Sequence, residues 1–283
     1  MLTSEEEHYI LTHAYVPEHI VGLITYLSGG EPFLIDDFIV CCRKEWVILI
    51  GYPFKHEFDG ARFERVVDKI KKQFNPETLS LIAPELPSSI SNKCQDQDSD
   101  HYYTLDVKKP VVRSVVRRNL KKSRQALRLE RVSAMGKPHR ELMDEFVQRA
   151  HPPARVKNMM SKLPGYLDEC DSALVLNAWD SQNHLAAFYI IDLAAVDFSN
   201  YIIGCYSRKN YILGASDLLL DELIQLSAEV GKRYIHMGLG VSEGIRRFKI
   251  KWGAKPTRQY KMCELRLRKP SLIKTILSLP KFR

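Results

Sequence analysis

The feature that most constrains the fold is an alternation of short apolar strands with amphipathic helices in the second half of the 283-residue chain. Apolar residues that recur every second position indicate strands, and apolar residues three or four apart indicate helices. The predicted elements are, in order, helix 141–150, strands 173–179, 185–193 and 201–206, helix 215–230, strand 234–238, helix 242–253 and strand 257–267. This order predicts an α/β fold with a mixed sheet, of the α+β kind.

Residues that commonly begin or end helices and strands predict several boundaries of these elements. Ser216 is the predicted N-cap of the helix at 215–230, and Gly231 is its predicted C-cap. Residues 197–200 predict a hairpin connection between two strands. Ser242 is the predicted cap of the short helix that ends at Gly253.

The first half gives fewer signals. Residues 46–51 read as a buried strand, residues 60–74 as an amphipathic helix, and residues 78–83 and 101–107 as two further strands. The polar run at 88–100 has no periodicity and predicts a loop.

Basic residues are concentrated between Lys108 and Arg131. Five of them are spaced three or four apart, which places them in one stripe of a helix. They are Arg113, Arg117, Lys121, Arg124 and Arg128. An adjacent stripe is mainly apolar, so this helix is expected to pack on a core and present a cationic surface. Residues 136–138 read as a break, and the domain boundary is predicted there.

The charge balance favours an anionic partner. Lys and Arg number 42 against 34 Asp and Glu, a net charge of +8. A nucleotide cofactor, tRNA or a membrane surface fits this charge, and a surplus of surface lysines is the plain alternative.

Cysteine usage and the termini predict an intracellular protein. The six cysteines form no CxxC pair, which argues against zinc and favours buried thiols in a reducing compartment. The acidic start resembles no signal peptide, and no apolar run has transmembrane length, so the prediction is cytoplasmic. The mixed apolar and basic tail, 268–283, either contacts the inner membrane face or docks on its own protein.

Two segments could carry chemistry. Residues 214–217 open a helix after a strand, and free N–H groups there can bind phosphate, although a plain turn has the same pattern. In the second, residues 237–254, Ile245, Phe248 and Trp252 are expected to face the core. Arg246 and Lys249 share another face, and the alternative is a solvated basic helix.

These segments resemble a known family. Residues 238–254 (GLGVSEGIRRFKIKWGA) look like the motif that closes the catalytic domain of Fem-type and related acyltransferases. These are double-GNAT proteins of the N-acetyltransferase superfamily, and they include peptidoglycan-bridge ligases. Residues 213–220 (LGASDLLL) are similar to the donor-binding unit of that family, and residues 113–128 to its arginine-rich helix. The resemblance implies a degenerate N-terminal GNAT-like lobe, 1–135, and a complete catalytic lobe, 136–283.

The resemblance implies an N-acyltransferase that moves an acyl group from a coenzyme A thioester to an amine. Lys249 would stabilise the oxyanion, and a backbone N–H between splayed central strands would meet the donor carbonyl. The implied donor-binding residues are Leu213, Gly214, Ala215, Ser216, Arg246 and Phe248. Asp192 and Tyr206 are candidates for base and acid. Glu243 is either a base or a residue that simply favours a helix N-terminus.

Departures from the family pattern leave two alternatives. Ile212 occupies the early glycine position of the usual pyrophosphate loop, which gives weight to a non-catalytic binding module. The other alternative is an aminoacyl-tRNA donor bound through the arginine stripe, and the absence of the coiled-coil insertion that some tRNA-dependent members use counts against it. His151 and His236 have no spaced ligand partners, so no metal is predicted.

Overall fold

A computed structural model describes residues 2–110 and 114–268 and has the mixed α/β architecture that the sequence predicts. Contacts divide the described chain into two compact units. The first contains residues 28–100 and 259–268, and the second contains residues 4–27 and 101–258. The sequence boundary at residue 136 does not coincide with this division, because residues 101–135 lie in the second unit.

The elements follow one another along the chain without long interruptions. The helices are α1 (Ser4–His13), α2 (Val21–Ser28), α3 (Gly60–Phe74), α4 (Ser88–Ser91), α5 (Ser114–Ala126), α6 (Lys137–Ala150), α7 (Ala154–Glu169), α8 (Ala215–Glu229) and α9 (Glu243–Lys251), with a 3-10 turn at Pro17–His19. The strands are β1 (Glu31–Ile35), β2 (Phe38–Arg43), β3 (Trp46–Ile50), β4 (Thr78–Ala83), β5 (Asp96–Asp106), β6 (Leu127–Val132), β7 (Ala173–Asp180), β8 (Leu185–Asp192), β9 (Phe198–Tyr206), β10 (Tyr234–Leu239) and β11 (Lys255–Arg266).

In the first unit the strands run in the order β1-β2-β3-β4-β11, with β3 and β4 parallel and the other neighbours antiparallel. Helix α3 supplies Phe63, Val66, Val67 and Ile70 to the core, and this confirms the helix predicted at 60–74. Asp59 caps α3 by accepting a hydrogen bond from the Arg62 amide at 2.6 Å.

In the second unit the order is β5-β10-β9-β8-β7-β6, and β9 and β10 form the parallel pair. Successive side chains of a strand point to opposite faces, so this sheet has two apolar faces to cover. Helices α5 and α8 pack on one face. Helices α2, α6 and α7 pack on the other.

Several boundaries differ from those predicted. The polar run at 88–100 is not one loop, because it contains α4 and the start of β5. Residues 198–200 belong to β9 and are not part of a hairpin connection. Helix α5 ends at Ala126, so Arg128 lies on β6 and leaves the predicted helical stripe. Arg113 lies outside the described residues.

The cysteine prediction was wrong for two residues. Cys94 and Cys263 form a disulfide within the first unit, with their Cα atoms 5.5 Å apart. Cys41, Cys42, Cys170 and Cys205 are free thiols.

Among the described residues, none of the helices has the length and apolarity that crossing a bilayer requires. The tail for which membrane contact was predicted lies almost entirely beyond residue 268, outside that part of the chain.

Candidate active site in the second unit

The central strands of the second unit pair over a short stretch. Strands β9 and β10 are parallel partners at three positions, ending at His236 opposite Asn200. Beyond this last pair, β9 remains hydrogen-bonded to β8, with a bulge between Ile190 and Ile191. Strand β10 remains paired with β5, and its register shifts after His236, where Gly238 has φ 68°. Each strand therefore continues with its other neighbour, and backbone groups of both become available in the gap.

Two tyrosines fix one side of this gap. A Cβ atom at Gly204 of β9 would lie 2.6 Å from the Tyr189 ring, so only glycine fits there. The Tyr189 hydroxyl donates to the Ser216 carbonyl at 2.8 Å, which ties β8 to the first turn of α8. Burial raises the pKa of Tyr201, whose ring meets Tyr189 edge-on at 4.8 Å.

Helix α8 begins on a glycine instead of on the predicted Ser216 cap. Gly214 is the N-cap with φ 87°, in the left-handed region, and no side chain caps the helix. The Ala215 amide donates to the Ile212 carbonyl at 3.2 Å. The unpaired N–H groups of the first turn and the helix dipole make this end suitable for a phosphate.

Asp217 joins α8 to α9. Its carboxylate lies 2.6 Å from the Lys251 ammonium and accepts from the Trp252 indole N–H at 2.8 Å. Trp252 is fully buried, as its predicted core-facing position requires. The two segments that the sequence singled out, 214–217 and 237–254, are therefore neighbours.

Lys249 is buried, with 3% of its surface exposed. Its ammonium donates to the carbonyl of Leu239, the residue that ends β10, and lies 5.5 Å from the centroid of the Tyr103 ring. Lys249 is therefore not a solvated helix lysine, because its charge lies at the end of one of the two parting strands.

The other donor-binding candidates are more exposed. Leu213 is 53% exposed beside the start of α8, and Arg246 is exposed on α9. Phe248 is half-buried and lies 4.6 Å from the Lys251 ammonium. Ile245, expected to face the core, is 39% exposed because it lies at the open start of α9.

Asp192 is buried in a network of its own at the end of β8. It accepts hydrogen bonds from the Tyr166 hydroxyl, from Ser172 Oγ at 3.1 Å and from the Ala194 amide at 2.7 Å. These donors explain how a buried carboxylate is tolerated.

Tyr206 lies at the opposite end of the β8–β9 ladder, opposite Ala187. At about 3.3 Å per residue, Asp192 and Tyr206 are roughly 17 Å apart, so the structure does not bring this candidate pair together. The Tyr206 ring instead contacts the Arg149 guanidinium at 4.5 Å and that of Arg208 at 5.5 Å.

Glu243 is exposed at the start of α9. It forms an ion pair with Arg247, one turn along the helix, and Ser242 caps the helix as predicted. This placement matches the helix N-terminus alternative that the sequence left open.

A group that sequence reasoning did not identify lies near the gap. It consists of Glu18, Tyr102 and His236, which come from the 3-10 turn, β5 and β10. No sequence signal joins residues so far apart along the chain. Within residues 2–110 and 114–268, no cluster of three or more His, Cys, Asp or Glu residues could hold a metal ion.

Solved structures resemble the chain, although no model of a protein family matches its sequence and no curated protein does. FemX shares 10% identity over 92% of this chain and 96% of its own, with a TM-score of 0.59. L-PGS from Bacillus licheniformis shares 14% identity over 97% and 95%, with a TM-score of 0.55. A tandem GNAT protein from the clavulanic acid biosynthesis pathway shares 9% identity over 83% and 80%, with a TM-score of 0.50.

At identities this low, the structural similarity establishes the fold and does not identify the acyl donor or the acceptor. The match extends over most of the chain, in agreement with the resemblance that the sequence motifs suggest. The chain therefore has the fold of FemX and of the tandem GNAT protein.

Proposed function

We propose that this protein is an N-acyltransferase that moves an acyl group from a coenzyme A thioester to an amine. The observation that carries the proposal is the parting of β9 from β10 beside a helix that opens on Gly214 without a side-chain cap. Such a gap accepts an extended chain with amide groups, and the helix end accepts its phosphates.

The donor-binding roles follow from exposure and charge. The Ser216 N–H, in the first turn of α8, binds the pyrophosphate, with Arg246 as an exposed cation; Ala215, whose own amide is bonded to Ile212, contributes a small side chain beside it. Leu213 and Phe248 offer apolar surface to the uncharged part of the donor. Ile212 stands where the usual loop has its early glycine. This is compatible with phosphate binding, because the Ile212 carbonyl accepts from the Ala215 amide and completes the turn before α8.

Lys249 stabilises the negative charge that develops on the acyl oxygen. Its ammonium is buried at the end of β10, and a charge in a water-poor site acts more strongly than one in solvent. Asp192 receives no role, because it is saturated by three donors and lies far from Tyr206.

A second candidate donor is an aminoacyl-tRNA. Five basic side chains of α5 are exposed, and one of them, Arg124, pairs with Asp221; the other four are Arg117, Arg118, Lys121 and Lys122. Helix α5 packs against Gly214, since a Cβ atom there would lie 3.2 Å from the Asn119 carbonyl. A cationic surface beside a phosphate-binding helix end fits RNA. A third possibility, a non-catalytic module, would leave the gap without any donor.

Calorimetry separates the three candidates. Coenzyme A binding alone supports the thioester donor. Binding of tRNA that weakens steeply between low and physiological salt supports the second candidate. Binding of neither contradicts both transferase candidates.

Lys249→Met tests the catalytic assignment. Because methionine is unbranched, only one atom shorter than lysine, and uncharged, turnover should fall by about 100-fold or more with coenzyme A affinity changed by less than about threefold. Lys255→Met, an exposed lysine on β11, is the matched control and should behave as wild type. Unchanged turnover in Lys249→Met would remove Lys249 from the mechanism.

A further inference from the structure

Polar side chains are buried together on the sheet face opposite α8. His236 of β10 is fully buried, and its ring meets the Tyr102 ring of β5 edge-on at 5.0 Å. Glu18, from the 3-10 turn, has its carboxyl group next to the Tyr102 hydroxyl. His236 is also the last residue of β10 that pairs with β9, so this group adjoins the gap described above.

The hydrogen on the His236 ring can be assigned. The Gly238 amide donates to Nδ1 at 3.2 Å, so Nδ1 carries no hydrogen. Burial, assisted by the charges of Lys249, Arg258 and His19, lowers the pKa of His236 to about 3, which keeps the ring neutral. The hydrogen is therefore on Nε2, and Nε2 is buried without a hydrogen-bond partner.

Glu18 leaves a second polar atom unsatisfied. Its Oε2 is buried and has no partner, although the residue as a whole is half-buried. Burial raises the pKa of this carboxyl group. Arg258, one of the charges that act on His236, is exposed and stacks on the ring of Tyr15, three residues before Glu18, at 4.5 Å.

His236 Nε2–H is thus an unpaired buried donor, and Glu18 Oε2 is an unpaired buried acceptor, on either side of Tyr102. Unpaired buried polar atoms are rare in a folded core, because each one lowers the stability of the protein. Such exceptions are expected at functional sites. We propose that Glu18, Tyr102 and His236 form the subsite for the acceptor amine, and that Glu18 accepts the proton of the attacking nitrogen. This inference rests on the proposed function.

The amine nitrogen attacks the acyl carbon and forms the C–N bond, and the C–S bond breaks with its electron pair on the leaving thiolate. One proton of the nitrogen moves to the Glu18 carboxylate and then to the thiolate. A carboxylate with a raised pKa is the better base for this transfer. The Nε2–H group of His236 donates to an oxygen of the acceptor and orients it.

The surroundings indicate the class of acceptor. Lys249 and Arg258 both act on His236 as positive charges. A primary amine that carries an anionic group is favoured over a neutral or cationic amine. O-phosphoethanolamine is a suitable probe, and ethanolamine is its neutral comparison.

The experiment measures thiol release from acetyl coenzyme A with these two amines. Glu18→Gln keeps the shape and removes the base, so kcat should fall by about 100-fold or more. His236→Asn keeps an oxygen that can accept from Gly238, and should raise KM for O-phosphoethanolamine by about tenfold without a similar loss of kcat. Coenzyme A affinity should stay within about twofold of wild type in both. Glu57→Gln, an exposed glutamate in the first unit, is the matched control.

Glu18→Gln with kcat within about threefold of wild type would overturn the assignment, as would wild type that binds coenzyme A but acetylates neither amine. Failure of wild type to bind coenzyme A contradicts the proposed function instead. The subsite is then judged by spectra of isotope-labelled histidine. O-phosphoethanolamine should shift the Nε2 resonance of His236 in wild type and not in Glu18→Gln, and an unmoved resonance in wild type overturns the subsite.

Discussion

His236 is held in one protonation state by its neighbours. Its ring is enclosed by Tyr102 and Phe198, at centroid distances of 5.0 and 5.6 Å, and no solvent reaches it. Lys249 and Arg258 add positive charge that further disfavours the imidazolium. A histidine of this kind takes up a proton only when the chain unfolds, so its burial links folding to pH.

Acidification should therefore destabilise the protein through His236. Because its pKa is about 3 in the folded chain and 6.5 when unfolded, the unfolded chain binds the extra proton between these values and stability falls as pH drops. At pH 5 the loss is about 2 kcal/mol. Denaturant unfolding at pH 7 and pH 5 measures it.

His236→Asn is the reference for that measurement, since it keeps an acceptor for Gly238 and cannot titrate. Glu18 has a raised pKa and acts in the opposite direction. It is present in both proteins, so the difference between them isolates His236. Equal pH dependence in the two proteins would contradict the neutral buried histidine.

At the scale of single residues, the sequence predicted what periodicity and motif can encode. Trp252 was expected in the core and is fully buried, and Lys249 was singled out by its motif. The partners of His236 could not be predicted, because Glu18 and Tyr102 are distant in sequence and meet it only through the sheet. The donors to Asp192 from Tyr166, Ser172 and Ala194 could not be predicted either, because Tyr166 and Ser172 reach it only through the packing of α7 and β7 on β8.

Secondary-structure elements were predictable where one local pattern dominated. Helix α3 matches its predicted bounds because four apolar residues share one face and Asp59 and Asn75 mark its ends. Strand β6 was missed because its start continues the helical spacing of α5, and pairing with β7 decides its conformation. The polar start of β5 was missed because side-chain pattern does not report tertiary pairing.

The start of α8 depends on glycine for two separate reasons. Gly214 has φ 87°, and a Cβ atom would also meet the Asn119 backbone oxygen at 3.2 Å. Gly214→Ala should therefore destabilise the chain by about 1–3 kcal/mol and shift α8 away from α5. Thermal unfolding and coenzyme A calorimetry, with a several-fold loss of affinity expected, test this.

Gly231 provides the matched control, because its φ is 75° and a Cβ atom would meet nothing within 4 Å. Gly231→Ala should show the smaller, purely conformational loss of about 1 kcal/mol and leave coenzyme A binding unchanged. If the two variants behave alike, close packing against Asn119 is not what shapes the start of α8.

At the scale of the molecule, the order of elements predicted the fold class, whereas no sequence pattern predicted the disulfide. Cys94 and Cys263 are 169 residues apart in sequence, and a scan for local cysteine spacing cannot relate them. They meet because β11 returns late in the chain to pair with β4, with Cys263 opposite Leu81. The disulfide thereby closes a loop that contains all of residues 101–258.

A crosslink that closes so long a loop restricts the unfolded chain far more than the folded one. Reduction should therefore destabilise the protein by about 2–4 kcal/mol and lower Tm by roughly 5–15 °C. The Cys94→Ser/Cys263→Ser variant should match the reduced protein and ignore reductant, while Cys41→Ser, at a buried free thiol, should keep the response. Thiol titration of the unfolded, unreduced chain should find the four free cysteines. Finding all six thiols there, or the same Tm with and without reductant, would mean that the Cys94–Cys263 bond does not hold the native chain together.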